Sequence, residues 1–511
     1  MPGRQGLQDR VLHPDRAQCL DRIALVGGTE CVVVGELAQQ YQRGFLRQHQ
    51  IVAHDSPGWR FEAAGMHGVR PGPDRQPAGA LPLAPRRAAQ DYRIARASGR
   101  GGHAAGAAHT ACYARARRFR SLPMRVRRCA IVVVEPRERL ALDLALVAGG
   151  ESGLRHLLEQ VAIAPHLARE VVLPDDAAAV LLRLSPSRWR ELAELEREQA
   201  RGELELLLEH GLLVREGSEA DARDRALRDA HWHATSATMH YASRWSGVDT
   251  EALQREFTEL AAGSLLDLLG AAPPAVHERA PAQQRQPLPA AVPGSLDALL
   301  DRRVTCRNFD RAHVLALEAF SSVLYRAYGA RKVDDYAPGV QLLKKGVPSA
   351  GGLHATEAYL LVQRVEGVEP GLYHYHPVAH ALEPIRSLAA ADAAALARRF
   401  VAAQAWFVDV PVMVIPTSRF RRNFWKYRNH AKAYRALILD VGHLSQAMYL
   451  AATELGLAAF ITAAINEVDI EQAFDLDPLE QGPLAVCGFG LRGVERREVE
   501  FDPLGVAWPA A

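Results

Sequence analysis

The sequence predicts an α+β protein whose sheet and longest helix lie in its C-terminal part. The apolar run at 410–416, with prolines near its two ends, is typical of a central strand that is covered on both faces. Residues 371–376 and 381–385 have the pattern of a β-hairpin. Apolar residues at steps of three and four over 432–455, followed by Gly456, predict a long buried helix in the monomer core or in a dimer interface.

Length and composition bound the classes of protein to consider. The 511 residues suffice for two or three domains, and 48% hydrophobic with 23% charged residues describes an ordinary globular chain. The net charge of +2 gives no case for nucleic-acid binding. Six scattered cysteines without CxxC spacing argue against a zinc site or a disulfide framework. Because membrane-length apolar runs and a secretory signal are absent, we expect a cytoplasmic protein without membrane contact.

Residues 1–123 do not have the composition of a domain. They contain 18 arginines, no lysine and nine acidic residues, a net charge of +9 that leaves −7 for the rest of the chain. Regular patterns begin at Met124. We hypothesise that translation begins there and that 1–123 is upstream DNA of high GC content read in frame; the alternative is a disordered basic leader. Peptides from 1–123 in a mass spectrum of the native protein would exclude the first hypothesis.

Residues 124–220 have the pattern of a small α/β module. The predicted elements are strands at 129–134 and 170–173, and helices at 154–161 and from 189 to about 198, the last capped by Ser185 or Ser187. A helix that ends at Gly211 and a short strand then close the module, which is the order typical of winged-helix modules. The module is therefore expected to be winged-helix-like.

Residues 221–294 are a connecting region. Three histidines, at 231, 233 and 240, lack the spacing of a helical zinc site, so a structural or substrate-contacting role is favoured over metal binding. The stretch at 280–293 is rich in Pro, Gln and Ala and predicts a linker or an extended arm. The catalytic domain is expected at 295–505, beginning with a short helix at 297–300 and a second helix at 314–327.

Two motifs of this last domain suit an anionic, planar ligand. Arg303, Thr305 and Arg307 alternate, so in an extended segment their side chains face one way, and two guanidinium groups flanking a hydroxyl suit a phosphate. The small residues of 349–352, after Pro348, form a loop that lets the backbone approach a ligand face closely, ahead of a buried strand at 359–364. The alternatives are a solvated surface strand and an ordinary turn.

These motifs and their order, with Trp425-Lys-Tyr427 ahead of the long helix, resemble the FMN-dependent nitroreductase superfamily. Within it they are most similar to the SagB-type dehydrogenases, the azoline oxidases of ribosomal peptide maturation. The resemblance covers about residues 290–505. It implies a nitroreductase-like fold with a central mixed sheet flanked by helices, FMN as cofactor, no metal, and an intertwined homodimer with the flavin at its seam. By fold analogy, the module at 124–220 would hold a peptide; the alternative is a module that packs without a ligand.

The resemblance also implies roles for individual residues. Arg303, Thr305 and Arg307 match an Arg-x-Ser-x-Arg phosphate motif, with Thr305 in place of serine. The residues that match the loop against the flavin ring are Pro348, Ser349, Ala350, Gly351 and Gly352. Ala464, within 462–466, falls where relatives present backbone N–H groups toward the flavin N5.

Lys426 and Tyr427 resemble the pair proposed as general base and partner in azoline oxidation. Aromatising an azoline removes a carbon-bound proton while the flavin takes a hydride, and a lysine or tyrosine within hydrogen-bond reach can accept that proton. We expect Phe424 and Trp425 to provide dry surroundings that lower the pKa of the lysine. The alternative is a lysine that extends into solvent beside a packed tyrosine.

The sequence thus predicts an FMN-dependent dehydrogenase that oxidises azoline or similar rings in a ribosomally made precursor peptide, together with a cyclodehydratase partner. The 124–290 region supports a peptide substrate. One alternative is an NAD(P)H-dependent nitroreductase or flavin reductase that acts on small molecules. A second is an inactive flavin-fold scaffold that binds peptides, whose mark would be a lost phosphate motif.

Overall fold

A seven-stranded sheet forms the centre of the C-terminal half. The computed structural model describes residues 123–142, 154–261 and 270–509. The sheet strands are β9 (Thr356–Val362), β10 (Gly371–His376), β11 (Ala381–Ser387), β12 (Val412–Arg419), β13 (Ala458–Thr462), β14 (Gln481–Pro483) and β15 (Val486–Gly490). Their order is β11-β10-β9-β12-β15-β13, with β14 paired to β12. The central position predicted for 410–416 is confirmed, since β12 lies between β9 and β15.

The prediction of a mixed sheet holds only at one edge. All the strand pairs are antiparallel. Parallel pairing occurs where Thr305 bridges to Ala459, so the segment with the alternating Arg and Thr residues adds to the sheet beside β13. This bridge places the predicted phosphate motif at the sheet edge.

Helices cover both faces of the sheet. On one face, α8 (Leu317–Tyr328) and α12 (Lys432–Glu454) pack on the apolar side chains of β9, β12 and β15. On the other face lie α9 (Ala390–Phe400), α10 (Ala405–Val408) and α13 (Glu467–Phe474). The long helix predicted at 432–455 and the hairpin of β10 and β11 are confirmed, while α8 begins three residues later than the predicted 314.

Several shorter elements complete this half. They are α7 (Ser295–Arg302), the hairpin of β7 (Ala330–Ala337) and β8 (Val340–Lys345), and α11 (Phe420–Phe424). The short helix predicted at 297–300 corresponds to α7. Upstream, 270–293 is exposed along nearly its whole length, as expected of a linker or arm.

The N-terminal part contains two three-stranded sheets. The first joins β1 (Arg125–Arg128), β5 (Arg190–Glu191) and β6 (Leu213–Arg215), and the second joins β2 (Val133–Leu142), β3 (Leu154–Ile163) and β4 (Glu170–Leu173). Their helices are α1 (Asp175–Arg183), α2 (Leu192–Glu198) and α3 (Arg201–Glu209). The predicted strand at 170–173 and the helix–Gly211–strand ending are confirmed, and Gly211 has the positive φ of 72° that ends such a helix.

Three predictions for this part are wrong. The strand at 129–134 is interrupted, because the Ala130 N–H bonds the Asp224 carboxylate and the chain crosses from one sheet to the other. The helix at 154–161 is strand β3: its leucines fit a helical spacing, but ten residues pair with β2, and Leu154 and Leu158 are 56% and 64% exposed. Ser185 caps a turn rather than α2, whose N-terminus makes no side-chain cap.

Within the described residues, three helices connect the two parts: α4 (Glu219–Asp229), α5 (Ala234–Ala242) and α6 (Thr250–Ala261). Trp232 and residues of α4 and α5 share an apolar cluster with Phe420, Phe424 and Tyr434 of the C-terminal half. None of the helices in the described ranges combines the length and apolar content that crossing a bilayer requires. The hypothesis on residues 1–123 lies outside the described residues, Pro123 excepted.

Candidate functional site

The loop at 348–352 has the backbone that the sequence predicts. Ala350–Gly352 forms a tight turn in which Gly351 and Gly352 have φ of 60° and 69°. Side chains with a Cβ rarely adopt these values, so the two glycines are required by conformation. A Cβ at Gly352 would meet nothing within 4 Å, so the loop is open on that side.

A buried carboxylate that the sequence did not reveal holds this loop in place. The Ser349 hydroxyl donates to Asp440 Oδ2 at 2.6 Å, and the Ala350 N–H donates to Oδ1 at 3.0 Å. Asp440 lies on α12 and is 5% exposed. Its signal was an acid among the apolar positions of a helix, three residues after Leu437 and four before Leu444. The loop is therefore fixed to the longest helix of the domain.

Lys426 and Tyr427 lie directly against Gly351. The Lys426 Nζ is 3.5 Å from the Gly351 carbonyl oxygen. A Cβ at Gly351 would be 2.6 Å from the Tyr427 hydroxyl and 2.7 Å from the Lys426 Nζ. The structure thus brings the predicted lysine–tyrosine pair to the predicted ring loop, although the two segments are about 75 residues apart.

The surroundings of this pair differ from the expectation. Lys426 is exposed and Trp425 is 44% exposed, so Trp425 does not shield the lysine within this chain. Phe424 is buried, but it packs against Trp232 at a ring separation of 4.7 Å. The prediction of dry surroundings built by Phe424 and Trp425 is wrong, because one ring points to solvent and the other anchors the backbone.

The segment 425–431, which carries the pair, is held at its ends by the connecting region. Trp232 contacts Phe420 and Phe424 with ring centroids 4.6 and 4.7 Å apart. His240 Nδ1 lies 3.0 Å from the Tyr434 hydroxyl. These contacts fix the chain immediately before and after the segment.

Two hydrogen bonds extend this support into the segment. The Ser236 hydroxyl donates to the Ala431 carbonyl at 3.1 Å, and the Asn429 N–H donates to the His231 carbonyl at 3.0 Å. The histidine-rich stretch therefore has the structural role favoured above. No group of three or more His, Cys, Asp or Glu side chains is arranged to hold a metal ion in the part of the chain that the structure describes.

Arg303, Thr305 and Arg307 alternate with buried residues along an extended segment, as predicted. The Thr305 and Tyr449 hydroxyls share a hydrogen bond of 3.0 Å, and the Arg303 guanidinium lies over the Tyr449 ring at 5.4 Å. Among the described residues, no carboxylate pairs with the guanidinium of Arg303 or Arg307. Arg307 instead donates to the Val499 carbonyl at 3.2 Å. Two cations beside a hydroxyl are thus left for an anion.

Ala464 lies on the side of the phosphate motif, five residues after Ala459, which bridges to Thr305. Its carbonyl accepts from Gln404 Nε2 at 2.7 Å, and its N–H donates to the Thr462 hydroxyl at 3.2 Å. The backbone N–H assigned to the flavin N5 therefore has a long intramolecular bond. The role of Ala464 stays a prediction.

A buried ionic network that sequence reasoning missed lies next to the ring loop. Glu357 accepts from Arg419 at 2.8 Å, and its carboxylate is 3.7 Å from His374. Burial raises the pKa of Glu357, but His374, Lys345 and Arg419 outweigh it and lower the pKa overall. Lys345 is 2% exposed, and burial lowers its pKa.

His354 completes the polar surroundings of the loop. The backbone N–H of His354 donates to the Ser349 hydroxyl at 3.0 Å, and the φ of His354 is 44°. Burial, together with Lys345 and Lys344, lowers the pKa of the imidazole to about 4. A neutral imidazole therefore lies beside the loop at neutral pH.

Part of the chain is similar to known proteins. Residues 300–491 match the model of the Nitroreductase family. The chain is 29% identical over 220 residues to the trifolitoxin-processing protein TfxB of Rhizobium leguminosarum bv. trifolii, covering 42% of this chain and 58% of TfxB. It is 25% identical over 196 residues to the microcin B17-processing protein McbC of Escherichia coli, covering 36% and 65%. The chain thus spans less than two thirds of each of these two relatives.

A solved structure also resembles the chain. It is the E. coli microcin synthetase McbBCD complex with truncated pro-MccB17 bound, with 20% identity, a TM-score of 0.36, and coverage of 53% of this chain and 94% of that one.

Proposed function

We propose that this protein is an FMN-dependent dehydrogenase of azoline rings in a ribosomally made peptide. The premise is that residues 300–491 form a nitroreductase-family domain similar to peptide-processing proteins. The observation that carries the proposal is the contact of Lys426 and Tyr427 with the open Gly351 loop. A proton acceptor beside a ring-binding loop is what the removal of a carbon-bound proton requires.

The residues present fit FMN at two places. The loop at 349–352 is open on the Gly352 side, and Arg303, Thr305 and Arg307 offer a hydroxyl and two guanidinium groups that pair with no carboxylate among the described residues. When bound, FMN would supply the hydride acceptor and pass the electrons to oxygen. The protein supplies position and a route for the proton.

The two places support a homodimer. Asp440, behind the ring loop, and Tyr449, behind the phosphate motif, are nine residues apart on α12. At 3.6 residues per turn these side chains leave opposite faces of the helix, roughly 14 Å apart along its axis. One chain would therefore contribute its loop to one flavin and its phosphate motif to another. The apolar Ile438 and Leu439, 45% and 60% exposed on α12, suit contact with a second copy.

The proton step falls to Lys426 and Tyr427. Lys426 or Tyr427 would accept the proton from a ring carbon, and bound FMN would supply the hydride acceptor, so that the ring gains a double bond and loses two hydrogen atoms. Because Lys426 is exposed in the single chain, a bound peptide or the second copy must exclude water from it to favour the neutral amine that can accept a proton. A cyclodehydratase must act first, because an azoline ring forms when a Cys, Ser or Thr side chain attacks the preceding amide carbonyl and the carbonyl oxygen leaves as water.

The test uses the purified full-length protein and a synthetic thiazoline peptide. Flavin bands in the absorbance spectrum, FMN as the released cofactor, and loss of two hydrogen atoms from the peptide in a mass spectrum are expected. Lys426→Ala should abolish the mass change and retain FMN. Turnover of nitroaromatics with NADH but not of the peptide would favour the small-molecule reductase instead. A protein that does not bind FMN would favour the scaffold.

A further inference from the structure

Residues 419–435 form a strongly basic segment. They contain no aspartate or glutamate and seven cations: Arg419, Arg421, Arg422, Lys426, Arg428, Lys432 and Arg435. Since residues 124–511 carry −7 overall, the part of this range outside the segment carries −14. The positive charge is therefore concentrated in this segment, while the rest of 124–511 has a net negative charge.

Most of this charge has no partner of opposite sign in the part of the chain that the structure describes. Arg419 pairs with Glu357 at 2.8 Å, and Arg421 has Glu480 at 3.8 Å. The other five make no ion pair with a carboxylate in the described ranges; Arg422, for example, donates to the carbonyls of Leu353 and Gln341. All but the half-exposed Arg422 are exposed. The segment thus presents several solvated cations to whatever approaches it.

The basic segment surrounds the candidate proton acceptor. Arg421 and Arg422 precede Lys426 by one turn, and Arg428 and Lys432 follow it. Trp425, 44% exposed, adds an aromatic face at the same place. A peptide that brings its ring to Lys426 and the Gly351 loop would therefore come close to these cations.

We propose that the basic segment binds an acidic stretch of the substrate peptide that lies next to the ring to be oxidised. This inference rests on the proposed function, whose substrate is a peptide, and adds that the peptide carries negative charge next to the ring. Arginines bind carboxylates through paired N–H donors, and clustered charge accelerates the approach of an oppositely charged chain. A peptide is favoured over a nucleic acid because the rest of 124–511 has a net negative charge, which disfavours a long polyanion.

The test measures binding of short labelled probes by fluorescence anisotropy to the FMN-loaded full-length protein. One probe carries glutamates in a Gly/Ser background, and a matched probe carries glutamines. We expect the glutamate probe to bind at least about tenfold tighter at low salt, with the preference lost at about 0.5 M salt. The triple variant R421E/R428E/K432E should lose the preference, and R421Q/R428Q/K432Q should reduce it.

Arg386→Glu, on the exposed edge strand β11, is the matched control and should bind like the wild type. Equal binding of both probes, or unchanged preference in the triple variants with FMN retained, would overturn the inference. Tighter binding of a single-stranded oligonucleotide of equal charge would overturn it in favour of a nucleic acid. Loss of thiazoline turnover with an intact probe preference would reject the proposed reaction alone; turnover without the preference would reject this inference alone.

Discussion

The loop at 348–352 and the segment 425–431 meet at the candidate site but are held in opposite ways. Ser349 and Ala350 bond directly to the buried carboxylate of Asp440. The segment is anchored at its ends, by Trp232, His240 and Ser236, while its middle is exposed. A fixed loop suits a cofactor that stays bound, and an exposed segment suits a substrate that comes and goes. The connecting region, which supplies Trp232, His240 and Ser236, therefore positions the lysine–tyrosine pair.

Removing the loop's anchor should have the largest effect. Asp440→Ala leaves the Ser349 hydroxyl and the Ala350 N–H without their acceptor, and bonds of this kind contribute about 1.5–3 kcal/mol each. We expect FMN affinity to fall roughly 100-fold, measured by fluorescence titration. Asp440→Asn, which keeps one acceptor oxygen, should lose less. Unchanged affinity in the alanine variant would show that the loop does not contact the cofactor.

The anchor of the exposed segment should respond to acid. Burial, reinforced by Arg244, lowers the pKa of His240 to about 3, and Trp232, Phe420 and Tyr434 surround its ring. Because the pKa of His240 in the folded protein lies below the unfolded value of 6.5, protonation favours the unfolded state. The free energy of unfolding is therefore highest above pH 6.5 and decreases as the pH falls toward 3.

The expected loss from His240 is about 2 kcal/mol of unfolding free energy between pH 6.5 and 5. Urea unfolding at a series of pH values checks it. His240→Phe should flatten the acid limb by about that amount; identical limbs for both proteins would contradict the prediction.

Variants of two neighbouring glycines distinguish the effect of the contact between the two regions from the effect of backbone strain within the loop. Gly351→Ala places a methyl group against Tyr427 and Lys426, whereas Gly352→Ala meets nothing, and both have positive φ. Both variants should lose about 1 kcal/mol of stability from the backbone. We expect Gly351→Ala alone to lower kcat, roughly tenfold, with FMN retained. Equal kcat values in both variants would mean that the contact of Lys426 and Tyr427 with Gly351 does not affect catalysis.

The smallest effect tests the support from the connecting region. Ser236 lies within α5 and Ser243 follows its last residue; both hydroxyls donate to a carbonyl, but only Ser236 reaches the segment, at Ala431. Each alanine variant should cost about 1 kcal/mol of stability. Only Ser236→Ala should shift the pH dependence of kcat. Equal pH profiles for both variants would leave Ser236 a purely structural role.

Local patterns predicted the elements that meet at the site, and long-range contacts explain what was missed. The glycine loop, β12 and α12 followed from residue type and periodicity over short windows. Asp440 was missed because its partner Ser349 is 91 residues away in the chain. Strand β3 was misassigned because its helical spacing of leucines is overridden by pairing with β2. Phe424 packs against the distant Trp232, while the neighbouring Trp425 is exposed, and no local sequence pattern predicts which of the two rings is buried.

The most direct test of the account is an anaerobic single turnover. The flavin absorbance of the purified full-length protein is followed after mixing with a thiazoline peptide in the absence of NADH. We predict bleaching in proportion to the peptide oxidised, which is lost in Lys426→Ala. Bleaching by NADH but not by the peptide would contradict a peptide dehydrogenase and identify a reductase.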